Sequence, residues 1–209
     1  MGGFFVTFEG GEGTGKSTQI KLLAQRLAQA PREVVVTREP GGTMAAESIR
    51  ALLVSGETNS WSSKAEALLN NAARESHLNE LIRPALTRGA IVLCDRFMDS
   101  TRAYQGFAGH CEMSLIDTLE AAVVGQTRPD LTLVFDLDPD VGLARARSRG
   151  EVEDRYERKG LEFHQRLRAG FLEIARNDPK RCRVVGANAS IADISVNVLK
   201  LLNQALGHG

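Results

Sequence analysis

The residues best suited to chemistry stand together near the amino terminus, in "GGEGTGKST" from Gly10 to Thr18. Gly10 to Ser17 follow the spacing G-x-x-x-x-G-K-S. Glycines at 10, 11, 13 and 15 let the backbone curl until its N–H groups point inward at phosphate oxygens. A helix beginning near Lys16 adds its positive end. Lys16 brings a cation to the β- and γ-phosphates, and Ser17 offers a hydroxyl to Mg²⁺. The spacing therefore predicts a cradle for ATP phosphates made of Gly10, Gly11, Glu12, Gly13, Thr14, Gly15, Lys16, Ser17 and Thr18.

A cradle needs a strand before it and a helix after it, and both are legible. Five short apolar runs occur at 4–10, 33–40, 90–97, 131–138 and 181–187. Each is rich in Val, Ile, Leu or Phe, as suits strands buried on both faces of a parallel sheet. Helical patterns alternate with them, among them "KSTQIKLLAQRLAQA", "SKAEALLNNAARESHLNELIRPALTRG" closed by Gly89, "SLIDTLEAAVVG" and "SIADISVNVLKLLNQAL". The alternation predicts one doubly wound α/β domain over 1–209, a five-stranded parallel sheet with helices on both faces. Four runs end in charge, at Glu9, Arg38 with Glu39, Asp95 with Arg96, and Asp136. Ligands bind beyond the carboxyl ends of such strands, so charges along that edge point to a polar, phosphorylated ligand.

The bulk numbers narrow the class. Lys plus Arg equals Asp plus Glu, 26 each, so no global field favours nucleic acid or an anionic membrane. Cys94, Cys111 and Cys182 are too few and too widely spaced for a disulfide framework or a zinc site, and His77, His110, His164 and His208 form no ligand cluster. No apolar run approaches a membrane span, and "MGGFFVTFEG" lacks a basic region and a cleavable apolar core, so a cytoplasmic location is expected. Guanine-specific switches carry N-K-x-D after a later strand, and this chain has none. A small kinase remains, which requires a second site for the phosphate acceptor.

Further stretches make that site specific: "TREPGGT" (37–43), "AAR" (72–74), "CDRF" (94–97), "STRAYQG" (100–106), "RPDLTLVFDLDPDVGLARARSRG" (128–150) and "DRYE" (154–157). With "FEGGEGTGKST" they resemble the bacterial thymidylate kinases, in the P-loop nucleoside monophosphate kinase family, over nearly the whole chain. The resemblance implies a P-loop NTPase fold with a small arginine-rich lid at about 145–160. It implies transfer of the γ-phosphoryl of ATP to dTMP with Mg²⁺, and a homodimer. The implied catalytic residues are Lys16, Arg96, Arg155, Glu12 and Asp95. The implied dTMP site comprises Glu12, Arg38, Pro40, Arg50, Asn70, Arg74, Arg96, Ser100, Thr101 and Tyr104. Arg96 would contact the acceptor phosphate, Arg74 the thymine, Tyr104 the deoxyribose and Glu12 the 3′-hydroxyl region. Ser17 and Asp95 would serve Mg²⁺, partly through water. Arg155 would reach the phosphates from the lid, a contribution of ~10³–10⁵ in rate for such arginines. The acidic insertion in "GEVEDR" weakens the corresponding assignment of Arg149.

One departure concerns the base. The family usually places an aromatic residue where this chain has Asn70 and Asn71, four and three residues before Arg74. The two asparagines either bond the local backbone, with Phe97 or Phe107 supplying a ring, or make the base pocket more polar and open it to a different or modified pyrimidine. Trp61 reads as a loop-packing residue, and "GANAS" (186–190) as backbone beside the adenine.

Two outcomes are expected. Lys16→Ala should cut turnover by orders of magnitude, since no other cation in the loop replaces it; near-normal activity would remove the donor-site assignment. If the pocket is polar at the asparagines, Asn70→Phe should tighten dTMP in a binding titration, and an equal or weaker affinity would count against it.

Overall fold

The structure, a computed structural model, describes residues 2–29, 31–148 and 155–207. Five parallel strands form the sheet: β1 (Phe4–Gly10), β2 (Val34–Arg38), β3 (Ile91–Asp95), β4 (Leu131–Asp136) and β5 (Cys182–Gly186). Their order is β2-β3-β1-β4-β5. The chain passes to one side of β1 for β2 and β3 and to the other for β4 and β5. The carboxyl end of β1 is thus the point where the winding changes direction, the position at which open α/β sheets hold ligands. All five expected strands occur, each inside the run read for it.

The period-two alternation of β1 decides the layers. Val6 and Phe8 face one side, where they pack with Leu93, Leu133 and Phe135 against Ile20 and Leu23 of α1 (Lys16–Leu27) and Val198 and Leu202 of α9 (Ile191–Ala205). Phe5 faces the other side, among Leu78, Ile82, Val92 and Phe97. On that side α2 (Met44–Val54), α3 (Ser63–His77), α4 (Arg83–Thr87), α5 (Met98–Thr101) and α6 (Met113–Val123) follow one another. After β4 come α7 (Pro139–Arg147) and α8 (Leu161–Asn177), and Leu167 and Phe171 of α8 cover Val134.

Two helical stretches are wider than the periodicity predicts. The single helix expected from 63 to Gly89 contains a π-turn at Leu78–Ile82, where the Arg83 N–H reaches back to the Leu78 carbonyl. Pro84 explains the widening: it lacks the N–H that a regular helix would direct at residue 80. Gly89 ends this stretch as expected, at φ 84°. A second π-turn, Arg102–Ala108, continues α5 and carries Tyr104 and Gln105. Such turns re-aim side chains, and this one borders the site.

Two glycines are required by close approach. Gly10 (φ 133°) passes against the Phe135 carbonyl, and Gly13 (φ 66°) against the carbonyl of Gly142 in α7; a methyl group at either would collide with main chain. The phosphate loop is therefore seated on β4 and α7 before any side chain contributes.

Candidate active site

The loop between β1 and α1 has the local structure its spacing demands. Gly15 precedes α1 in the left-handed region (φ 85°), no side chain caps the helix, and no acidic residue sits in its first turn. The first N–H groups of α1 are thereby left for an anion. Lys16 folds back over the loop, its Nζ donating to the carbonyls of Gly10 (3.1 Å) and Gly11 (2.8 Å) and to Thr14 Oγ1 (3.2 Å). Burial, then the Arg96 charge, lower its pKa to about 8 against the pull of Asp95 and Glu12. A triphosphate bound in the loop would hold the ammonium in its charged form.

Arg96 follows β3 in the left-handed region (φ 68°), a conformation that non-glycine residues seldom adopt and that clusters at functional sites. Its guanidinium donates to the Gly10 carbonyl (2.8 Å) and to both oxygens of Glu12 (3.1 Å each), and lies 5.0 Å from the centre of the Tyr104 ring. Tyr104 donates its hydroxyl to Glu12 at 2.5 Å. Burial raises the Glu12 pKa, but Arg96 and Lys16, with the Tyr104 hydroxyl, outweigh it and hold the carboxyl down to about 2. Below this group Glu9, fully buried, accepts from the Phe97 N–H (2.8 Å) and shares a 2.6 Å hydrogen bond with the Ser100 hydroxyl. Burial, then the Asp99 charge, push Glu9 up to about 8. Glu9 thus fixes the turn that carries Arg96 and Ser100.

Arg74 is held from three directions. Its guanidinium donates to Glu39 (2.8 Å), Asn71 Oδ1 (3.2 Å) and Thr101 Oγ1 (3.1 Å), and lies 5.2 Å from the Phe97 ring centre. The second Glu39 oxygen meets His77 Nδ1 (3.0 Å), and His77 Nε2 meets Thr37 Oγ1 (2.7 Å). Both asparagines bond the backbone one turn earlier, Asn70 to the Glu66 carbonyl (2.8 Å) and Asn71 to that of Ala67 (2.9 Å). The local-bonding reading therefore holds for both, and Asn71 also supports Arg74. Phe97 borders the cleft, whereas Phe107 lies apart from it, against Gly170.

These groups line one cleft of about 460 Å³, a volume suited to small ligands. Of the expected site residues, all but Gly10, Gly11 and Arg155 line it. Arg38 pairs with Glu47 (3.2 Å), and Arg50 donates to the Pro40 carbonyl (2.8 Å) at its rim. Ser17 Oγ donates to Asp95 Oδ2 at 2.7 Å beside the cradle. A hydroxyl and a carboxylate are hard oxygen donors that fit Mg²⁺. No cluster of three or more His, Cys, Asp or Glu ligands exists among the described residues, so phosphate and water oxygens would complete the shell, the usual manner of Mg²⁺ binding.

A family model described as thymidylate kinase matches residues 8–198. The chain belongs to the thymidylate kinase family. It is 56% identical over 205 residues to the thymidylate kinase of Caulobacter vibrioides, covering 98% of each chain. It is 50% identical to that of Afipia carboxidovorans, covering 98% of this chain and 90% of the relative. A crystal structure of thymidylate kinase from Ehrlichia chaffeensis superposes with a TM-score of 0.80 at 37% identity, over 97% of this chain and all of that one. The α/β P-loop NTPase fold is that of the family.

Within this family member one expected position is corrected. Arg155 does not reach toward the phosphates. It is fully buried, and its guanidinium donates to the carbonyls of Leu53 (2.8 Å), Glu57 (3.0 Å) and Thr58 (3.1 Å) and to Glu66 Oε1 (2.6 Å). A guanidinium out of water collects carbonyls and a counter-ion, and the connection between α2 and α3 supplies them. Arg149, Asp154 and the centre of the expected lid lie outside the described residues. Arg145, at the start of that segment, donates to the Ala187 carbonyl (3.1 Å) within "GANAS". Trp61, expected at the surface or packed in a loop, is half-buried, and its Nε1 donates to the Leu52 carbonyl of α2 (3.0 Å).

The groups absent from the expected set are supports: Glu9, Glu39, His77, Glu66 and Gln105. Glu9 and Glu39 carried a signal, as charges ending apolar strands, but their partners lie tens of residues away in sequence.

Arg155→Ala leaves Glu66 buried without its main cation. Loss of one partner of a buried pair typically costs about 3–5 kcal/mol, on the order of 10 °C in Tm for a chain this long. Thermal unfolding checks this; an unchanged Tm with a collapsed kcat would return Arg155 to the phosphates.

Proposed function

We propose that this chain is a single kinase domain that transfers the γ-phosphoryl group of ATP to the 5′-phosphate of dTMP, giving dTDP. The observation that carries the proposal is the continuity of the cleft. The phosphate loop forms one end, Arg74 and Thr101 the other, and Arg96 bridges from Gly10 and Glu12 to within 3.4 Å of Ser100 Oγ. A donor triphosphate and an acceptor monophosphate can thus meet end to end, the geometry in-line transfer requires.

In this reading the loop N–H groups and Lys16 hold the ATP phosphates. Ser17 and Asp95 would hold Mg²⁺, partly through water, and the ion when bound would supply positive charge against the ATP phosphates. Arg96 binds the acceptor phosphate and the group in flight. Arg74 and Thr101 hold the base, with Asn70 beside them. Tyr104 packs against the deoxyribose where a 2′-hydroxyl would be crowded, and Glu12 takes the 3′-hydroxyl side. Arg38, Pro40, Arg50 and Ser100 complete the acceptor wall. Family resemblance supports a cytoplasmic homodimer. Among the described residues no helix is long and apolar enough to cross a membrane. The polar wall at Asn70 had left room for another pyrimidine deoxynucleotide, but the names of the relatives favour dTMP.

A coupled assay with ATP, Mg²⁺ and a panel of monophosphates tests the proposal. dTMP should be turned over with the highest kcat/KM. Tight ATP binding with no turnover of any monophosphate would sink the kinase reading, and a better pyrimidine would replace dTMP.

A further inference from the structure

Two amide side chains border the cleft on its α3 side, Asn70 and Gln105, and both are tethered through nitrogen to one residue. Asn70 Nδ2 donates to the main-chain oxygen of Glu66, and Gln105 Nε2 to Glu66 Oε2 at 2.8 Å. Glu66 is itself buried, 1% exposed, and its other oxygen pairs with Arg155 at 2.6 Å, with Lys159 at 3.9 Å. An ionised carboxylate only accepts hydrogen bonds. The Gln105 amide is therefore oriented, its NH₂ toward Glu66 and its Oε1 away. Among the described residues Oε1 has no hydrogen-bond partner, and it is not one of the sealed polar atoms left unpaired, which are Gln19 Oε1 and Arg166 Nε. Gln105 lines the cleft, and with Nε2 engaged by Glu66 and, at 3.5 Å, by the Tyr156 hydroxyl, Oε1 is the amide atom left to meet what the cleft holds.

We propose that Glu66 is a positioning residue for base selectivity: it locks the Gln105 amide so that an acceptor, and not a donor, faces the pyrimidine ring. Such a wall matches a base carrying a hydrogen on N3, as thymine does, and opposes one with a bare N3 lone pair. The inference rests on the dTMP reading and adds the residue that enforces it from outside the cleft. Glu66 performs this on the oxygen that Arg155 does not use, so its two tasks are separable. In Glu66→Gln a single oxygen remains, and the Arg155 cation makes the stronger claim on it. The new NH₂ then faces Gln105, whose amide turns to place its own NH₂ in the cleft.

The test compares kcat/KM for dTMP and for 5-methyl-dCMP, whose bases differ only at ring positions 3 and 4. Glu66→Gln should lower the dTMP to 5-methyl-dCMP ratio roughly 10- to 100-fold, the scale of one mismatched buried hydrogen bond. Loss of a merely structural ion pair would depress both substrates alike and leave the ratio unmoved, and that result would overturn the inference. Gln105→Met removes the acceptor at nearly constant length and should lower the ratio too. It decides the matter if Glu66→Gln does not fold, an unchanged ratio again being fatal. Wild-type protein that fails to phosphorylate dTMP would instead remove the kinase reading, so the two failures are distinguishable.

Discussion

Arg96 and Glu12 meet at 3.1 Å across the mouth of the phosphate loop, and the arrangement of the cleft follows from the need for that pair. A site for two anions must gather cations, and cations gathered at low dielectric repel one another. Each is therefore restrained by its own acceptor. Lys16 is held by the carbonyls of its own loop, Arg96 by Glu12, and Arg74 by Glu39. The acceptors are placed by the sheet. The register that sets Phe8 beside Asp95 brings Arg96 alongside the start of the loop, where its N–H bonds the Phe8 carbonyl at 2.9 Å. When phosphates enter such a cleft its cations exchange protein oxygens for phosphate oxygens, so less solvent must reorganise than around free cations.

Much of this was readable before any coordinates. Glycine spacing defined the loop, and apolar runs defined the strands, because both are local: a turn needs its own glycines and a doubly covered strand its own aliphatic residues. The carboxyl-edge position of Arg38, Asp95 and Arg96 followed from the ends of those runs. The supports were not readable. His77 serves Arg74 through Glu39, which lies 38 residues away in sequence, and Glu9 serves Ser100 across 91 residues. Nothing in the spacing of either residue records its partner. Arg155 fails for a related reason. Its neighbours in sequence resemble a segment that reaches over phosphates, but the carbonyls of Leu53, Glu57 and Thr58, which it binds instead, carry no side-chain signature at all.

The asparagines are an intermediate case. A penalty of roughly half a kcal/mol per residue relative to alanine marked Asn70 and Asn71 as unusual in a helix. Each answers that penalty by bonding the carbonyl four residues earlier, and Asn71 then lends its oxygen to Arg74. Sequence showed that something was unusual there, while only packing showed that the two do different work, one lining the cleft and the other buried behind it.

The contact between Gly13 and Gly142 has a mechanical meaning. Neither residue has a side chain to yield, and the two main chains touch directly, with Glu12 placed so that a methyl group on Gly142 would strike its carbonyl. The phosphate loop and the first turn of α7 are in effect one hinge leaf. α7 runs as one unbroken helix from Pro139 to Arg147. A tilt at Arg147 is thus geared to Glu12, and the loop that grips the donor feels, as displacement rather than as charge, what happens about one and a half helical turns away.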